Sequence, residues 1–154
     1  LEYKINISDF ISRIAQNIIE DINIQINKVR IKKVDFSNIH LEVTFGLDNK
    51  TEMECVVKQM NINVYKTDNY KELLSSSIIK NSFKVNPMSL NEFSLDAKIN
   101  TFKMGTTFLS NTLSNNNSLF IELTSKVEYK NIEVPYSIKR RVDYNPRTLE
   151  ILLK

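Results

Sequence analysis

One histidine, one cysteine and a short acidic stretch are the residues with chemistry to offer. His40 has the side chain of a general base or a metal ligand. It sits opposite the apolar phase of Ile39, Leu41, Val43 and Phe45, so it is expected on a solvent-facing side. No orienting partner is visible near it, and a single histidine holds a metal only with other strong ligands. Cys55 follows Glu52 and Glu54. Acidic neighbours disfavour a thiolate, so it reads as a small strand residue rather than a nucleophile. Asp48, Glu52 and Glu54 offer oxygens to Ca²⁺, but their spacing is not that of a calcium loop, and solvated loop acids are the plainer reading. Neither Gly46 nor Gly105 belongs to a phosphate-cradling loop. The expectation is a chain with no catalytic residues, no cofactor and no metal, and not an enzyme.

The elements that would carry these residues are mostly strands. The 154 residues are expected to form one domain, long enough to bury a core. An apolar fraction of 42% and a charged fraction of 25% suit a globular chain. A net charge of +3 is too small to suggest nucleic acid. One cysteine excludes an intrachain disulfide. No apolar run approaches the roughly 20 residues of a transmembrane helix. No signal peptide is read at the N-terminus, and with Leu1 in first place an earlier leader or anchor stays open. The location is left open between the cytoplasm and a particle.

Residues 1–22 are expected to contain an amphipathic helix capped by Ser8, with Phe10, Ile11, Ile14, Ala15, Ile18, Ile19 and Ile22 along one face. That face either packs on the domain, the reading favoured by a mixed-charge opposite face, or lies on a membrane surface or docks a partner. At Ile22 the period becomes two. Ile22, Ile24 and Ile26 share a phase, Val29 and Ile31 take the other, and Val34 and Phe36 return to the first. The slips at Asn27-Lys28 and Lys32-Lys33 predict bulges. Ile39 to Leu47 alternates almost without fault, and Asp48-Asn49-Lys50-Thr51 is read as the turn that ends it. Further alternating runs follow at Val56–Val64, Leu73–Val85, Phe93–Ile99, Leu119–Tyr129 and Ile132–Ile138, with a tight turn at Lys130-Asn131. Between Thr101 and Leu113 the alternation fades. Residues 23–144 thus predict a two-sheet antiparallel β-sandwich of about seven strands, and residues 145–154 an apolar tail that closes the sandwich or docks on a neighbour.

The stretch from Val29 to Val142 resembles the late embryogenesis abundant type 2 family, the water-stress and hypersensitive-response domain. The resemblance rests on the alternating Leu41-x-Val43-x-Phe45-x-Leu47 strand, the Asn49 turn, Met60-Asn61-Ile62-Asn63-Val64-Tyr65, Leu74–Ser82, Phe93-Ser94-Leu95-Asp96-Ala97 and Val134-Pro135-Tyr136. The chain has Lys50 where the family usually has proline. The resemblance implies an immunoglobulin-like sandwich without catalytic residues, associated with stress protection, membranes and lipid-like ligands.

Two basic groups complete the candidates. Lys28, Arg30 and Lys32 alternate on an early strand, and Arg140 and Arg141 follow Lys139 late in the chain. They would contact phosphate, anionic lipid or an acidic protein surface, or else protect a strand edge from unwanted pairing. The partner-contact candidates are therefore Phe10, Ile14, Ile18, Lys28, Arg30, Lys32, Arg140 and Arg141. The expected role is a structural or protein-interaction module, a subunit of a larger assembly such as a virion or a cell-surface machine. Partners would be proteins or further copies of the chain, with lipid as the other option and nucleic acid not expected. The alternative role is a stress-protective protein or a carrier of apolar ligands.

Overall fold

Alternating apolar residues leave a strand one oily face, and two such sheets bury those faces against each other. The computed structural model describes residues 13, 16, 20–35, 37–100, 118–145 and 151–153. Among them are nine strands: β1 (Ile22–Val34), β2 (Asn38–Asn49), β3 (Cys55–Tyr65), β4 (Leu73–Ile79), β5 (Phe83–Val85), β6 (Ser89–Asn100), β7 (Ser118–Tyr129), β8 (Ile132–Tyr144) and β9 (Ile151–Leu153). Seven are long and two, β5 and β9, have three residues each. The expected helix lies outside the described residues apart from Arg13, Gln16, Glu20 and Asp21, and is not an element of the described fold. Residues 101–117, where the alternation fades, also lie outside them.

One sheet has three strands in the order β1-β2-β6. The other has the order β4-β3-β7-β8-β9, with β5 also pairing with β3. Every pairing is antiparallel. Leu41, Val43, Phe45 and Leu47 of β2 face Val57, Met60, Ile62 and the buried side chains of β7 in one core. Each such side chain contributes about 1.5–3 kcal/mol when fully withdrawn from water. Phe45 stacks on Phe93 at 5.3 Å between ring centroids, and Phe83 of β5 meets Phe93 at 4.6 Å, so aromatic rings join the two sheets.

The two phase slips of β1 are register shifts, between Ile26 and Lys28 and between Ile31 and Lys33. Each leaves one extra residue, Asn27 and Lys32, opposite β2. Val34, in the phase expected to return to the core, is 46% exposed instead, because the second shift falls at the end of the strand. Residues read as one strand from Leu73 to Val85 divide into β4 and β5. Both pair with β3, on either side of a bulge where Gln59 takes a φ of 54°. The β7–β8 turn places Lys130 and Asn131 at φ 51° and 62°, the left-handed pair of a two-residue hairpin. The apolar chain end contributes β9, pairing Val142 with Leu153 and Tyr144 with Ile151.

At the flanks, side-chain hydroxyls link one sheet to the other. Tyr136 of β8 donates to the carbonyl of Ile22 at 3.0 Å. Ser75 of β4 donates to the carbonyl of Lys98 on β6 at 2.6 Å.

Candidate interaction site

The basic residues singled out in the sequence do not form one patch. Arg30 pairs with Glu42 at 3.1 Å, and Lys32 lies 3.6 Å from Glu42 and 3.4 Å from Asp96. Glu42 and Asp96 are register partners on β2 and β6, so Arg30 and Lys32 are met by carboxylates on the same face. Lys28 lies on the same strand, opposite Thr44. Arg140 and Arg141 are adjacent and take opposite phases of β8. Arg141 is exposed beside Asp143 at 3.0 Å. Arg140 falls on the inward phase between Ile138 and Val142, and its Nε is buried without a hydrogen bond among the described residues. Phe10, Ile14 and Ile18 lie outside the described residues.

His40 has a partner that its sequence neighbourhood did not reveal. Its Nε2 lies 3.1 Å from Oδ2 of Asp35, across the β1–β2 turn. Oδ1 of the same carboxylate accepts the backbone amides of Asn38 (2.6 Å) and Ser37 (2.9 Å) and the Ser37 hydroxyl (3.1 Å). Those bonds, led by the Asn38 amide and then by His40, hold the Asp35 carboxyl far below the usual carboxylate range. The aspartate staples a turn, and the imidazole is its outer ligand. Cys55 is fully buried, and burial, aided by the charge of Glu54, pushes its thiol up to about 11. Among the described residues no group of three or more His, Cys, Asp or Glu side chains could hold a metal ion. Nor is any helix among them long and apolar enough to cross a membrane.

The most constructed feature lies at the end of the sandwich where β2 stops. Asn49, read from sequence as a turn residue, is the last residue of β2 and is fully buried. Its Nδ2 donates to the carbonyls of Met53 (2.9 Å) and Asn86 (3.2 Å), with the Val85 carbonyl at 3.4 Å. Its Oδ1 accepts the Thr51 amide (3.0 Å) and hydroxyl (2.6 Å). One buried amide thus ties the β2–β3 loop to the β5–β6 loop, and buried polar groups persist only when so satisfied. The Met88 amide adds a bond to the Thr51 carbonyl at 3.1 Å, and the Lys50 amide donates to the carbonyl of Asp21 at 2.9 Å.

These secured loops and the start of β6 carry apolar side chains outward. Met53 is 45% exposed, Met88 72% and Leu90 68%. Met88 adopts a φ of 51°, outside the usual range for a side-chain-bearing residue. Leu90 pairs with Asp48 across β2–β6. Sequence reasoning missed this group. Its signal was Leu90, which is out of phase with Phe93, Leu95, Ala97 and Ile99 of the same strand.

A second concavity lies on the six-stranded sheet. Where β4 gives way to β5, the bulge at Gln59 opens a groove of about 1010 Å³. Ile78 and Pro135 supply apolar lining, and Lys58, Lys80 and Lys126 supply cations. Lys58 is engaged by Glu128 at 2.6 Å and Glu133 at 2.5 Å, which raises its pKa and lowers that of Glu133. Lower on the same face, Tyr70 meets Tyr65 at 5.4 Å and Phe120 at 5.9 Å, with Lys139 over its ring at 4.5 Å.

No family model and no curated protein matches the sequence. Solved structures match the fold. A protein from Archaeoglobus fulgidus superimposes with a TM-score of 0.58 at 11% identity, over 86% of this chain and 98% of that one. A protein described as late embryogenesis abundant (LEA) gives 0.54 at 10% identity, over 88% of this chain and 78% of that one. A protein from Arabidopsis thaliana gives 0.53 at 9% identity, over 78% and 80%. At such identities the likeness is one of architecture: the chain is a two-sheet antiparallel β-sandwich, with an LEA protein among its structural neighbours.

Proposed function

We propose that the chain is a non-catalytic protein-interaction module of immunoglobulin-like form, whose contact surface is the loop end carrying Met53, Met88 and Leu90. The observation that carries this reading is the Asn49 amide, which fixes both loops while three large apolar side chains remain in water. Exposed apolar groups held in a set conformation lose little freedom when a partner covers them. The non-catalytic reading is supported by two placements: Asp35, the partner of His40, is committed to its turn, and the Cys55 thiol is buried and pushed up to about 11. The proposed module would serve a larger assembly, such as a virion or a cell-surface machine.

A photo-cross-linking side chain placed at Met88 tests this in the cell of origin. A specific protein adduct from that position, and none from Lys71 in the β3–β4 loop at the other end, is the expected result. If Met88 yields no adduct with any protein, the reading is lost. A second reading, a stress-protective or apolar-ligand-binding protein, is favoured by the LEA neighbour's fold. It predicts lipid bound to the purified chain by native mass spectrometry.

A further inference from the structure

Two surfaces of this molecule have complementary chemistry. The loop end presents Met53 between Glu52 and Glu54, and neither glutamate forms a salt bridge among the described residues. An apolar point rimmed by unpaired acids is repelled by an anionic bilayer and suits a basic, apolar hollow. The groove beside the Gln59 bulge is such a hollow. Ile78, itself 72% exposed, and Pro135 line it. Lys80 forms no salt bridge among the described residues, and Lys126 forms none either, though its charge acts on Glu133.

Resting on the reading of the loop end as a contact surface, we infer that its partner is a second copy of this chain: the Met53 loop of one copy enters the groove of the next, with Glu52 and Glu54 against Lys80 and Lys126. The two surfaces lie on different parts of the molecule, so the contact is head-to-tail. Such contacts give open strings or rings rather than closed symmetric pairs.

Sedimentation velocity on the purified full chain, up to about 1 mM, tests it. The wild type is expected to show species that grow past dimer with concentration and shrink with added salt. Met53→Asp abolishes one surface, and Lys80→Glu with Lys126→Glu the other. Each variant alone is expected to be monomeric with an unchanged circular dichroism spectrum. Mixed, they are expected to form a 1:1 dimer and nothing larger, because each retains one intact surface. A mutation that merely damaged folding would not be rescued by mixing. A wild-type monomer at the highest concentration overturns the inference, as does failure of the two variants to associate. Adducts from Met88 to a different protein, with the chain monomeric, overturn it while leaving the interaction-module reading standing.

Discussion

The backbone amide of Lys50 donates to the carbonyl of Asp21 at 2.9 Å, joining the residue that leaves β2 to the one that enters β1. A proline at this position would have no amide to give. Lys50→Pro is therefore expected to cost about 1 kcal/mol or somewhat more. The loss should appear as a lower urea midpoint and faster amide exchange at the start of β1. An unchanged midpoint would show that the bond contributes nothing.

Asn49→Asp replaces a donor with a carboxylate aimed at the carbonyls of Met53 and Asn86. A loss of about 2–4 kcal/mol is expected at neutral pH, because buried acceptors lose their donor and meet a charge. Only the protonated acid can donate to those carbonyls, so the new carboxyl titrates above its unfolded value. Its proton is held more tightly in the folded state, and the defect shrinks as the pH falls. Urea midpoints at about pH 4 and about pH 7 should differ in that direction relative to wild type. Equal deficits at both would sink the argument.

Gly46 lies beneath Asn27, the extra residue of the first β1 bulge, whose Nδ2 reaches Glu92 of β6 at 3.2 Å. A Cβ added at Gly46 would sit 2.5 Å from that nitrogen. Gly46→Ala is expected to displace the Asn27 side chain at a cost below about 1 kcal/mol, since the obstacle is the end of a flexible side chain. In an Asn27→Ala background the same change should become neutral or stabilising by about 0.5 kcal/mol, because glycine weakens a strand. A double-mutant cycle without coupling would refute the pairing.

Asp35 has a folded-state pKa held far below its unfolded value of about 3.9 by the amides of Asn38 and Ser37 and by His40. Such a group contributes stability above its unfolded pKa and loses it as pH falls toward the folded one. The stability gap between wild type and Asp35→Ala should be full near neutral pH and narrow steadily below about pH 4. A gap independent of pH would assign Asp35 no electrostatic role.

Cys55 is expected to resist thiol reagents in the native protein, because its thiol is buried and pushed up to about 11. Ellman's reagent should label it only as denaturant opens the sandwich, at a rate that follows unfolding. Rapid labelling of the folded chain would contradict the buried placement.

Much of the architecture was written in the period of the side chains. The alternation from Ile39 to Leu47 is the centre of the three-stranded sheet, and both phase slips in β1 are real shifts of register. The division of β4 from β5 was hidden, because Ile79, Phe83 and Val85 keep a common phase although residues 80–82 leave the sheet. The turn at Asn49 does end β2, but its burial was hidden for a different reason. A polar residue beside Asp48 and Lys50 has the composition of a turn, and only the folding of two distant loops around it makes it a buried tie. Lys139-Arg140-Arg141 looked like one basic block, yet a strand sends neighbours to opposite sides. The exposed apolar side chains at the loop end were least legible, since Met53 and Met88 look in sequence like any other apolar residues.

The hydroxyl links of Tyr136 and Ser75 have a consequence for the life of the folded chain. A protein made so largely of strands risks seeding cross-β stacks wherever outer backbone carbonyls stand open. Here the Ile22 and Lys98 carbonyls, on the two outer strands of the three-stranded sheet, are already taken by the opposite layer. Losing either hydroxyl, by Tyr136→Phe or Ser75→Ala, would shorten the time the soluble chain survives under agitation before amyloid-dye fluorescence rises.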